Sequence, residues 1–139
     1  MVSAKDLQRA ADFLDQRFGL DTLWLFGSEA RGDARPDSDV DLGALLQQRT
    51  SPLERFDAQG ELAEILERPV DLVDLDQVSP ILAMQVLKHG RLLVDRNPKR
   101  RFAFFSRTLS LYEDLKIYRR EAEQSLFTRL RQGASRGRP

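Results

Sequence analysis

The sequence predicts an α/β (α+β) fold, a small mixed β-sheet flanked by helices, followed by a long C-terminal helix. Three observations carry this. Apolar stripes at helical spacing alternate with short runs of strand formers over residues 1–97. The linker between the first two strand runs, Gly27 to Ser38, spans about a dozen residues, too short for a full crossover helix yet long enough for one helical turn. An Asn97-Pro98 break then precedes a segment, Lys99 to Leu130, of helical character.

The elements follow in order. Ser3 is placed to cap a helix whose Leu7, Ala10, Ala11, Leu14 and Phe18 form one stripe, with Gly19 as its stop. Leu20 to Phe26 reads as a buried strand holding the single tryptophan, Trp24, as core filling. Asp39 to Leu46 reads as a second strand. Ser51-Pro52-Leu53-Glu54 combines a serine cap, a proline in the first turn and a glutamate three residues after the cap. The helix it starts runs to Glu67 and carries Phe56, Leu62, Ile65 and Leu66 on its apolar side. Val70 to Leu75 is a third strand. Ser79-Pro80 opens a helix ending at His89-Gly90, and Leu92 to Val94 is a short fourth strand. In the last helix Phe102, Phe105, Leu109 and Tyr112 share the face expected to pack on the body. The domain division expected is 1–97 as the core, 98–131 as the C-terminal helix and 132–139 as a disordered basic tail.

Composition narrows the function classes. A chain of 139 residues with 41% hydrophobic and 32% charged content fits one globular domain. It has no cysteine, hence no disulfide framework and no thiolate metal site. No apolar run approaches a membrane span and no signal-peptide layout opens the chain, so a cytoplasmic location is expected. The formal net charge of zero hides a division: residues 1–95 hold 10 Lys+Arg against 18 Asp+Glu, and residues 96–139 hold 12 against 4. A body of net −8 and a C-terminal segment of net +8 are compatible with a nucleic-acid arm, a docking surface or internal neutralisation.

The chemistry concentrates between Gly27 and Leu42. Gly27-Ser28 ends a strand, where glycine lets backbone approach a phosphate and the serine hydroxyl adds a donor. A Gly-Ser turn alone is common and most often only starts a helix. Asp39 and Asp41 fall on one strand face, with Cα atoms roughly 7 Å apart. Paired like charges are unfavourable without a cation, and Mg²⁺ takes carboxylates, phosphates and water. An isolated Asp-x-Asp reads better as a solvated strand edge; following a Gly-Ser loop, it reads as a metal site. A third carboxylate is expected from the Val70–Asp76 stretch, with Asp71 favoured over Asp74 and Asp76 because apolar neighbours place it inside the strand. Arg31 and Arg35 could reach phosphate oxygens or pair with Asp33, Asp37 or Glu29. His89 reads as a helix-terminal residue, and Tyr112 and Tyr118 as packing residues.

With these residues in place, Gly27-Ser28-Glu29-Ala30-Arg31-Gly32 followed by Ser38-Asp39-Val40-Asp41-Leu42 resembles the signature of the polymerase β-like nucleotidyltransferase superfamily. It is most similar to the minimal nucleotidyltransferases, in particular the MntA-type antitoxins that pair with HEPN-domain toxins. The resemblance covers residues 1 to about 97 in element order. It implies ATP as substrate with Mg²⁺, two ions being expected. Asp39 and Asp41 would hold metal, and Asp71 would be the third carboxylate and help to activate the acceptor hydroxyl. Gly27, Ser28 and Arg31 would contact the nucleotide. It further implies transfer of AMP to a tyrosine of a partner HEPN toxin, in a type VII toxin–antitoxin module. Glu29 stands where related sequences often carry a basic or aromatic residue, and an acid beside incoming phosphates is unfavourable. Two other readings stand beside this one: an antitoxin that acts by binding alone, and nucleic-acid binding through the basic C-terminus, the latter disfavoured by helical packing of Phe102, Phe104 and Phe105.

Overall fold

The computed structural model describes the backbone of residues 2–136 and the side chains of residues 2–133. Helix α1 (Ala4–Phe18) begins where the Ser3 hydroxyl accepts the Asp6 amide. It stops at Gly19, whose φ of +73° is a conformation that side chains resist. Strand β1 (Leu20–Phe26) leads straight into the single-turn helix α2 (Gly27–Arg31). A loop then reaches β2 (Val40–Leu46), which starts one residue later than expected, so that Asp39 stands just outside the strand. Helix α3 (Pro52–Leu66) carries a complete capping box, with Ser51 and Glu54 each accepting the other's backbone amide at 3.1 Å. Strand β3 (Val70–Asp74), helix α4 (Pro80–His89), strand β4 (Arg91–Asp95) and helix α5 (Pro98–Arg136) complete the order.

The sheet runs β3-β2-β1-β4, with β2 and β3 parallel and the other pairs antiparallel. Alternation along the strands divides its two faces. Leu23 and Leu25 of β1, Val40, Leu42, Ala44 and Leu46 of β2 and Leu72 of β3 pack with Ala10, Leu14 and Phe18 of α1 and Ala58 and Leu62 of α3. On the opposite face Trp24, Leu45 and Leu75 pack with Val86 of α4 and with Phe104 of α5. Asp41 and Asp71 belong to this second face, at the end where β1 finishes and β2 and β3 begin.

Helix α5 departs from expectation in which side it seats. Phe102, Phe105 and Leu109 are exposed, at 68%, 42% and 40%, while Phe104 and the buried Thr108 face the body. The reason lies at the root of the helix. Arg100 donates to Asp21 Oδ2 and to the Leu46 carbonyl, both at 2.8 Å, and pairs with Asp76. Arg101 pairs with Asp95 at 2.8 Å. These fixed partners set the rotation of the helix, which places Phe104 and Thr108 inward at i+4 and i+8 from Arg100, with Tyr112 half-buried one turn further on. Phe56 of α3 is likewise exposed rather than part of the apolar side. The expected tail is helical over 132–136, because one glycine at 133 costs about 1 kcal/mol and does not stop a helix that its neighbours favour. Its last residues, 137–139, lie outside the described residues.

Candidate active site

Gly27 is the hinge of the site. Its φ of +69° turns the chain from β1 into α2, and a Cβ there would collide with Asp41 Oδ2. The Asp41 carboxylate therefore lies directly against the turn that carries Ser28. Strand register brings up the rest. Asp41 pairs with Phe26 on one side and with Asp71 on the other, so all three side chains share one face. Asp39, just before the strand, lies close enough for its charge to act on Asp41.

The electrostatics follow from this crowding. Burial, then Asp71, then Asp39 push the Asp41 carboxyl above its ordinary value of 3.8, opposed by the positive charge of Arg31. Asp39 and Asp71 are exposed at the mouth, so the buried-charge argument for Asp71 gives way to one of adjacency: it faces solvent, abreast of Asp41. The other candidates are occupied elsewhere. Asp74 is 4% exposed and accepts hydrogen bonds from Thr50 Oγ1 and Gln77 Nε2, both at 2.9 Å, and from the Asp76 amide. Asp76 pairs with Arg100. Both serve the β3–α4 turn and the root of α5.

Among the described residues no three carboxylate or imidazole groups already converge on one point. A hard cation that takes one or two carboxylates and completes its shell with phosphate and water needs no such cage. The mutually repelling carboxylates at Asp39, Asp41 and Asp71 fit that demand.

Beside the carboxylates a cleft of about 620 Å³ opens between α2 and α4, lined by Phe26, Gly27, Arg31, Gln85 and His89. Its size suits a nucleotide. Arg31 has an exposed side chain with Asp33 at 3.4 Å, so it lines the cleft and pairs within its own loop at once. Arg35 stays exposed in the loop, where its amide donates to Ser38 Oγ at 2.8 Å. Sequence reasoning missed Gln85 and assigned His89 only to the end of its helix. Their spacing of four on α4, which puts both on one face, is the signal that could have found them.

Glu29 does not oppose phosphates. It is 2% exposed and turned inward, where Oε1 accepts the Val2 amide at 2.6 Å and Oε2 accepts Arg68 Nη1 at 2.8 Å. Burial raises its pKa, but the Val2 amide and the Arg68 guanidinium outweigh burial and hold the carboxyl below its ordinary value.

Geometry of this kind has a counterpart among known proteins. The family model described as polymerase beta, nucleotidyltransferase, matches residues 8–99. The chain belongs to the polymerase β nucleotidyltransferase family. The match runs from α1 to the root of α5, so every carboxylate of the cluster and the whole Gly27–Leu42 stretch lie inside it. The protein adenylyltransferase MntA of Shewanella oneidensis is 30% identical over 118 residues, which is 85% of this chain and 84% of that protein. The protein of the same name from Thermococcus cleftensis is 35% identical over 75 residues, 54% of this chain and 76% of the other. A chain from a crystal structure of a toxin–antitoxin with AMP-PNP superposes with a TM-score of 0.78 at 26% identity, covering 91% of this chain and 99% of that one. A chain from the MntA–HepT toxin–antitoxin structure gives 0.74 at 25% identity, over 90% and 99%. The fold and the enzyme class of this nucleotidyltransferase are thereby set, with α5 as its C-terminal extension.

Proposed function

We propose that this nucleotidyltransferase moves AMP from ATP onto a tyrosine hydroxyl of a partner HEPN-domain toxin, and so serves as the antitoxin of a type VII toxin–antitoxin module. One observation carries the reading: Asp41 and Asp71 stand abreast on one sheet face, against the Gly27-Ser28 turn and beside a nucleotide-sized cleft, with the Asp39 charge acting on Asp41. The adenylyltransferase relatives and the AMP-PNP-bound neighbour support adenine nucleotide as donor. The MntA–HepT neighbour supports a toxin as acceptor.

In this reading Gly27, Ser28 and Arg31 hold the phosphates, and the cleft lined by Phe26, Gln85 and His89 takes the nucleoside. Asp39 and Asp41 would hold Mg²⁺, as one ion or two. When bound, the metal supplies charge stabilisation for attacking and leaving oxygens. Asp71, exposed at the mouth, accepts the proton of the acceptor hydroxyl as its oxygen attacks the α-phosphorus in line. The bond to the β-phosphate oxygen breaks and pyrophosphate leaves. Among the described residues no helix is long and apolar enough to cross a membrane, and we place the reaction in the cytoplasm.

The protein partner fits α5. Beyond the body its Leu115, Ile117, Tyr118, Leu126, Phe127 and Leu130 are 40–72% exposed, a helical surface that another helical protein could cover. Incubation with labelled ATP and the partner toxin tests the proposal. Label enters the toxin with the wild type and fails to enter with Asp39→Ala/Asp41→Ala; undiminished labelling by that variant overturns it. Neutralisation by binding alone loses its one sequence argument, since Glu29 faces inward. Under that alternative Asp39→Ala would still protect cells. Nucleic-acid binding is weakened too, because Arg96, Arg100 and Arg101 spend their charge on Asp12, Asp15, Asp21, Asp76 and Asp95 of the body.

A further inference from the structure

The candidate centre is assembled from three separated stretches of chain: Gly27-Ser28, Asp39 to Asp41, and Asp71. One residue, Arg68, adjoins all three. Arg68 Nη1 donates to Glu29 Oε2 at 2.8 Å, and Glu29 adjoins Ser28. Its Nε and Nη2 both donate to the Ser38 carbonyl, at 3.1 and 2.9 Å, and Ser38 adjoins Asp39. The backbone of Arg68 itself runs through Pro69 into β3, reaching Asp71 three residues on, and the Pro69 carbonyl accepts the Val40 amide at 2.8 Å. The Arg68 and Glu29 side chains are 11% and 2% exposed, so the pair is sheltered from solvent.

We propose that Arg68 is a positioning residue that sets the spacing between the phosphate-binding turn and the paired aspartates, with Glu29 as its anchor. The inference rests on the adenylyltransferase reading and deepens it. A planar fork suits the task because it meets a carboxylate and a carbonyl in two fixed directions at once; an ammonium, with all its donors on one atom, cannot span them. Arg68 touches none of the groups assigned to substrate or metal, so it acts through the residues it holds. A misplacement of about 1 Å in such a centre costs on the order of a hundredfold in rate. The Glu29 carboxylate, which the sequence alone sets beside the phosphates, is thereby explained as half of a buried clamp.

The test compares Arg68→Lys with two variants that destabilise the same domain elsewhere, Ser51→Ala at the start of α3 and Leu14→Ala in the core. Melting temperature, kcat and KM for ATP, and the affinity for Mn²⁺ followed by loss of the free-ion resonance signal are measured for each. Arg68→Lys is expected to lower kcat and kcat/KM together by about tenfold or more and to weaken Mn²⁺ binding several-fold, as loss of alignment does. The two controls, bracketing its melting temperature, should keep wild-type values for both. Should Arg68→Lys not fold, Glu29→Gln, which keeps the shape and removes the charge, is expected to give a smaller loss of the same kind. The proposal is overturned if Arg68→Lys, or Glu29→Gln in its place, behaves as the controls do at equal thermal loss. A wild type that neither binds Mn²⁺ nor transfers AMP instead removes the adenylyltransferase reading itself, and the clamp with it.

Discussion

Asp41, a metal ligand in our reading, shows how a residue kept for function opposes the stability of its own fold. It sits against Gly27 with Asp39 and Asp71 close by, and burial and those two charges raise its pKa above 3.8. A raised carboxyl pKa means that the folded state holds that proton more tightly than the unfolded chain does. The ionised form at neutral pH is therefore the less stable one. Asp41→Asn is expected to raise the melting temperature of the metal-free protein while abolishing transfer. Calorimetry without divalent cations checks it; a lower melting temperature contradicts the account. The same pKa sets an acid limb. In our reading cation binding needs Asp41 ionised, so transfer should fall as pH drops through a value above the ordinary 3.8. Raising Mg²⁺ tenfold should move that limb to lower pH, because metal and proton compete for one carboxylate. At this scale the sequence told much: adjacency of two aspartates and a Gly-Ser turn is local information. The orientation of Glu29 was not local. Its partner Arg68 is 39 residues away, and only the fold brings them together.

Among the elements, those with chemical end signals were the most legible. Ser3, Ser51 and Ser79 each cap the helix that they announce, because a side chain bonding an amide three residues on needs nothing from the rest of the chain. The seat of α5 was hidden for the opposite reason. Its apolar residues occur nearly all round, and the choice among faces fell to Arg100 and its partners Asp21, Leu46 and Asp76, which lie far off in sequence. The face left over belongs to the partner in our reading. Leu126→Asp/Leu130→Asp is expected to weaken the complex with the toxin by at least about tenfold, as loss of apolar anchors does. It should leave melting temperature and nucleotide binding as they are. Titration calorimetry with the toxin gives the first quantity, and unchanged affinity would clear α5 of the role.

For the whole molecule, three of the twelve cations of the C-terminal segment form an internal seam with the acidic body. Arg96, Arg100 and Arg101 meet acids of α1, β1, β4 and the turn after β3 where α5 takes root. A gel-shift titration with RNA or DNA should stay flat at physiological salt, whereas a free basic arm would give binding that falls steeply with salt. That same seam sits beside the chain's single tryptophan. Trp24 is 4% exposed and meets the Phe104 ring, with centroids 6.2 Å apart at an interplanar angle of 47°. The molecule thus carries one optical reporter, placed under the foot of the helix that we assign to partner docking. Its emission stays blue while α5 is seated and moves to the red when water reaches the indole. Any event that levers the helix from the sheet is written in the colour of its own fluorescence, with no label attached.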